Sequence, residues 1–143
     1  MATTTATIDI TSADLGISLN ASTNLSKTGT STGLEIMDAG YGEVTVAHSA
    51  KALLEASAVS GDRDTSNYFY LSNKATDETY YLLVKLHDTI IGRLSAGDWM
   101  FMPWSQGDAD AEINITATNG TCAYEYATFK SAFTLVDKTC LLY

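Results

Sequence analysis

Residues Asn67 to Trp104 read NYFYLSNKATDETYYLLVKLHDTIIGRLSAGDWMFMPW, and this stretch decides the fold class. It divides into four short apolar runs separated by turn chemistry, the pattern of antiparallel strands. Tyr80, Leu82, Val84 and Leu86 share one face of a strand, while Tyr81 and Leu83 share the other with Thr79 and Lys85. Tyr68 and Tyr70 oppose Phe69 and Leu71, and Trp99 and Phe101 oppose Met100, Met102 and Trp104. The connections His87-Asp88-Thr89 and Ser95-Ala96-Gly97-Asp98 are short enough for antiparallel hairpins. Pro103 falls late in its run, where ladder pairing ends.

The alternation continues on both sides. Ala6, Ile8 and Ile10 fall on one face of a strand, and Leu15, Ile17 and Leu19 repeat the pattern after a turn at Ser12-Ala13-Asp14. Asn20 to Gly33 is rich in Ser, Thr, Asn and Gly and reads as a loop or arm with little core of its own. Ala39-Gly40-Tyr41-Gly42 reads as a turn before a short strand at Val44 to Ala47. Ser49 to Val59 predicts one short helix, with Ser49 as N-cap and Ala50, Leu53, Leu54 and Ala58 as its stripe. The acidic turn Ser60 to Asp64 ends it. Beyond Trp104, Ile113, Ile115 and Ala117 alternate with Asn114 and Thr116. Asn119-Gly120 then turns into Cys122 to Thr128, and Phe133 to Val136 forms a last strand before Leu141-Leu142-Tyr143. Eight to ten short strands at this spacing predict an all-β chain. The expected form is an antiparallel, jelly-roll-like β-sandwich in a single domain over residues 1–143, with 20–33 as the arm.

The totals restrict function. At 143 residues the chain can bury about two thirds of its unfolded surface. Seventeen acidic residues against eight basic ones give a charge of −9 with no basic cluster, so phosphate backbones and anionic membranes repel it. Neither nucleic acid nor membrane is an expected partner, and no run reaches the ~18 apolar residues of a spanning helix. MATTTATIDI lacks the basic start and apolar run of a signal peptide, which predicts synthesis in a cytoplasm. Cys122 and Cys140 then read as buried thiols, with a single bridge between them as the alternative.

Motifs for chemistry are sparse. His48 and His87 are the only histidines and show no HxH or HExxH spacing, and neither a phosphate loop nor a GxSxG elbow is present. Neither an enzyme nor a cofactor is expected. Asp108, Asp110 and Glu112 alternate as calcium ligands can when a loop folds back, but they lack the spacing of a helix–loop–helix calcium site and a solvated loop after Pro103 is the favoured reading. Trp99 and Trp104 could stack on sugars.

What stands out is apolar character on both strand faces. If Tyr81, Leu83, Met100, Met102 and Trp104 face away from the core, they expose several hundred Å² of apolar surface. At ~25 cal/mol per Å² such a patch is worth several kcal/mol at an interface before association costs. Trp, Tyr and Met are also enriched at interface cores. These five residues are therefore the expected self-association face, the alternative being cover by the helix, loops and arm of the same chain.

YFYLSNKATDETYYLLV, from Tyr68, and IIGRLSAGDWMFMPW, from Ile90, resemble small virion structural proteins of tailed bacteriophages, particularly marine and cyanobacterial ones. In those chains a strand ending in Asn, here Tyr68 to Asn73, leads into a second strand. An I-G-x-L-x-x-G-[DE] element and an aromatic strand ending in Pro follow, here Ile91 to Pro103. The resemblance covers about a quarter of the chain. It implies a non-enzymatic capsid decoration or cement protein on the virion exterior. Such a protein forms a homo-oligomer, typically a trimer, and bridges neighbouring major capsid subunits. Shell contact would fall to the N-terminal arm, with Ile8, Ile10 and Leu34, and to Leu141, Leu142 and Tyr143. The rival readings are a head–tail connector or tail component, and a carbohydrate-binding receptor module.

Overall fold

The computed structural model describes residues 4–25, 36–46, 51–54, 66–105 and 110–131. Within them lie ten strands: β1 (Thr4–Ser12), β2 (Ile17–Leu25), β3 (Ile36–Thr45), β4 (Lys51–Leu54), β5 (Ser66–Asn73), β6 (Tyr81–Leu86), β7 (Thr89–Leu94), β8 (Trp99–Ser105), β9 (Ile113–Thr118) and β10 (Thr121–Ser131). All pairings are antiparallel. β1 and β2 make a two-stranded hairpin of their own, and the other strands form two four-stranded sheets ordered β3-β10-β5-β8 and β4-β9-β6-β7. Among the described residues the chain is all-β, as the alternation predicts.

Both four-stranded sheets feed one hydrophobic cluster. Val44, Phe69, Leu71, Trp104, Cys122 and Tyr124 enter it from the first sheet. Leu82, Val84, Leu94, Ile113, Ile115 and Ala117 enter from the second. The period-2 pattern is clear in β6 and β9, where every second residue from Leu82 and from Ile113 is buried or packs on the cluster. Each such Leu, Ile or Phe contributes about 1.5–3 kcal/mol by leaving water. Trp104 is 5% exposed, and its indole Nε1 donates to the Ala111 carbonyl at 2.6 Å, which satisfies its one polar atom inside the core.

Three local expectations are corrected. Lys51–Leu54, inside the predicted helix, is strand β4 on the edge of β9. A short apolar run carries no reliable period, and the backbone groups of β9 supply the ladder that decides it. The remaining residues of that prediction, together with the acidic turn, lie outside the described residues. Ala39 to Gly42 is not a turn but the middle of β3. Gly40 and Gly42 are opposite Tyr126 and Tyr124, and a Cβ at either would come within 2.7 Å of the tyrosine lying over it. Glycine here provides room for two rings, not a bend. Asn20 to Leu25, read as loop, completes β2 and pairs residue for residue with Thr4 to Asp9.

The link Ser95 to Asp98 is also not a hairpin, because it carries the chain from β7 in one sheet to β8 in the other. It closes a tight turn, with Asp98 N donating to Ser95 O at 3.0 Å and Gly97 at a φ of 83°. Asp98 Oδ2 also accepts from Ser95 N at 2.8 Å. What holds this turn in place is Asn73, fully buried at the end of β5. Its Nδ2 donates to Leu94 O at 3.0 Å, its Oδ1 accepts from Ala75 N at 2.9 Å, and its backbone exchanges bonds with Asp98 O and Gly97 N at 2.9 and 3.0 Å. The two motifs that carry the resemblance thus bind each other. Asn73→Leu keeps the number and branching of side-chain heavy atoms but leaves Leu94 O and Ala75 N unpaired in or near the core. It is expected to lose about 2–4 kcal/mol in denaturant unfolding; a loss below 1 kcal/mol would remove this role.

Candidate functional site

The residues expected on one self-association face do not share a face. Tyr81 and Leu83 lie half-buried on the outer side of the β4-β9-β6-β7 sheet, where the Arg93 guanidinium sits 3.8 Å over the Tyr81 ring. Met100, Met102 and Trp104 belong to the opposite side of the other sheet and pack in or against the core. The alternation within β8 was read correctly, but the face turned to the core is the reverse of the one expected. Register explains the choice: Met102 stands beside Phe69 and Met100 beside Leu71, so these four make one continuous apolar layer.

The side left outward on β3-β10-β5-β8 is aromatic. Tyr68 stacks on Phe101 with centroids 5.5 Å apart and planes within 8°, and Phe129 tilts against Phe101 at 6.4 Å. Tyr70, Tyr41 and Trp99 extend the same side, with Tyr41 91% and Trp99 52% exposed. Tyrosines suit this position because their hydroxyls reach water while their rings cover the sheet. A groove of about 1080 Å³ runs along it, bounded by Tyr41, Glu43, Tyr70, Phe101, Glu125 and Phe129 and by Thr5 and Ala6 of β1. Lys74 closes one part by pairing with Glu125 at 3.0 Å, and that hydrogen bond holds its ammonium above the usual lysine value.

The second surface is the hairpin. Ile8 is half-buried, whereas Ile10, Leu15, Ile17 and Leu19 are all exposed. Of the residues expected at the shell, Ile8 and Ile10 are therefore placed on this hairpin, while Leu34, Leu141, Leu142 and Tyr143 lie outside the described residues.

Charged and nucleophilic groups are scattered. Among the described residues no three His, Cys, Asp or Glu side chains are grouped to hold a metal ion. Glu112, a candidate calcium ligand by spacing, instead lies 2.8 Å from His87 Nδ1, Asp110 is exposed, and Asp108 is outside the described residues. His87 has a left-handed φ of 52°, secured by its N–H on Glu112 O at 2.8 Å and by Asn114 Nδ2 donating to its carbonyl at 3.3 Å. Cys122 is buried in the core, and burial pushes its thiol above the ordinary value, which makes it inert. Cys140 lies outside the described residues.

No family model, curated protein or solved structure matches this chain. The aromatic outer side was the part missed in reading the sequence. The available signal was the tyrosines themselves: Tyr68 and Tyr70 carry hydroxyls that a dry core must satisfy, while Phe69 and Leu71 do not.

The His87–Glu112 contact gives a pH dependence. The Glu112 hydrogen bond raises the His87 pKa, outweighing the lowering by burial. A raised folded value means that this contact stabilises fully below the ordinary imidazole pKa of about 6.5 and fades as pH rises through the folded value. Thermal midpoints of wild type and Glu112→Gln should therefore differ most at about pH 5.5 and converge by about pH 8.5. A gap that widens with pH would refute the assignment.

Proposed function

We propose that this chain is a non-enzymatic virion structural protein, a decoration or cement subunit that oligomerises and binds across major capsid subunits on the exterior of a phage head. The observation that carries the reading is the β1–β2 hairpin: it pairs with neither four-stranded sheet, yet it presents Ile10, Leu15, Ile17 and Leu19 to solvent. A two-stranded ribbon is marginal in water by itself, so such a side calls for a partner surface. The aromatic outer side of β3-β10-β5-β8 is a second surface of the same kind.

The body is read as a jelly-roll sandwich. The strand orders support this, because β3, β4 and β5 alternate between the sheets, β6 and β7 stay in one, and β8, β9 and β10 alternate again. Jelly rolls of eight strands serve viral capsid and lectin domains alike, so the architecture is compatible with the reading and does not select it. The resemblance of Tyr68–Val84 and Ile90–Trp104 to phage virion proteins adds the choice of a virion. A formal charge of −9 suits a subunit added to the outside of a shell that it must reach in soluble form.

Each bound copy would add buried area between shell subunits and raise the free energy needed to separate them. The test is the molar ratio of this chain to the most abundant shell protein in purified particles. A ratio near one, or a simple fraction such as about one third, is expected for a subunit that coats a lattice. A ratio of about one per cent moves it to the neck or tail, and complete absence from particles ends the virion reading.

A second reading keeps one observation in its favour. Trp99 and Tyr41 are exposed aromatic rings on a grooved side that also carries Glu43 and Glu125, a combination that can stack and hydrogen-bond a sugar. Trp104, buried in the core, has no part in it. Glycan-array binding that Trp99→Ala abolishes in a folded protein is the outcome this reading requires; an array without signal removes it.

A further inference from the structure

We propose that the apolar side of the β1–β2 hairpin seats on the aromatic outer side of the β3-β10-β5-β8 sheet of a second copy of this chain. This rests on the oligomer in the reading above. It gives to self-association the strand that the resemblance assigns to the shell.

Register places Ile8 opposite Ala21, Ile10 opposite Leu19 and Ser12 opposite Ile17, so the aliphatic side chains share one side of the ribbon. The other side is polar, with the Thr7 and Ser22 hydroxyls 3.3 Å apart and Asp9 paired with Asn20. The ribbon is thus amphipathic, and most of its aliphatic side is uncovered. Thr5 and Ala6 line the groove and Ile8 is half-buried, but Ile10 and Leu19 are 53% and 58% exposed. Ile17, at the far end of the same side, is exposed as well.

The groove is correspondingly underfilled. At about 1080 Å³, with Tyr41 standing almost free beside it and Thr5 and Ala6 only at its border, it has room for a further segment. A second hairpin laid along it would set aliphatic side chains on Tyr41, Tyr70 and Phe101. The hairpin's own carboxylates do not face the groove, since Asp9 is on the polar side and Asp14 is in the turn, and of the groove's carboxylates Glu125 is already paired with Lys74. A nine-residue hairpin is about 30 Å long and about 10 Å wide, so one seating covers about 300 Å² on each copy. Reciprocal exchange of two arms removes about 1,200 Å² from water, the low end for a specific interface.

Sedimentation equilibrium of the purified full chain, without any other virion protein, tests this. Wild type is expected to be oligomeric. Tyr41→Asp, and separately Ile10→Asp with Leu19→Asp, should each raise the dissociation constant about 30-fold or more, the effect of losing one hot-spot contact. The thermal transition of the body should stay unchanged, because none of these positions is in the core cluster. Mixing the two variants should restore association in part, since one intact arm then meets one intact outer side. A monomeric wild type, an oligomer that both variants leave intact, or a mixture that fails to associate overturns the proposal. So does an oligomer broken only by Leu83→Asp, which would return self-association to the other sheet. As capsid protein is absent, the result is independent of particle composition.

Discussion

The buried amide of Asn73 is the constraint on which the body depends. Two separate sheets share one core only if the chain passes between them without leaving backbone groups dry and unpaired. One such passage is Ser95 to Asp98, and Asn73 receives it from the end of β5 with both side chain and backbone. An apolar residue could fill the same volume, but it could not supply a donor to Leu94 and an acceptor to Ala75 together. Leu94 is thereby held in the core and Trp99 is set at the start of β8, which fixes the register of Met100 and Met102 against β5.

This explains what could be read from the residues alone. Alternation in β6, β8 and β9 is a local property, and the pairing of Leu82 with Val84 or Met100 with Met102 on a common face follows from strand geometry. Which face meets the core is not local. It depends on the neighbour that register supplies, and Met102 beside Phe69 could be inferred only with the sheet order in hand. The same limit governs Gly40 and Gly42. In sequence they look like turn residues, and only their pairing with Tyr126 and Tyr124 makes them strand positions emptied for two rings. Lys51 to Leu54 shows the converse, a helix-compatible run that the edge of β9 takes as strand.

The candidate surfaces were legible to a similar depth. Ile8, Ile10, Ile17 and Leu19 announce an amphipathic ribbon by spacing, and the register of β1 with β2 gathers them on one side. The aromatic side of the first sheet was less accessible, because Tyr68, Tyr70, Trp99 and Phe101 are as apolar by composition as the layer beneath them. Hydroxyl chemistry separates the two: tyrosine tolerates a boundary where Phe and Leu prefer the interior. Absence of metal-ligand spacing and of nucleophile motifs narrowed the chemistry without naming a partner.

The pairing of β3 with β10 also has a consequence in time. β3 emerges early from the ribosome, yet its ladder partner is the last strand described, so Met37 waits for Phe129 before the first sheet can form. Such a long-range closure makes the body a slow, late folder. The hairpin has the opposite character, since its register is local and hairpins close in microseconds. During synthesis this chain therefore carries a rapidly forming but marginal aliphatic ribbon ahead of an unfinished body, and premature contact between neighbouring ribbons is the hazard. The hydroxyl-rich outer side of the ribbon and the acidity of the chain are what keep nascent copies apart until each has built the surface that a ribbon can occupy.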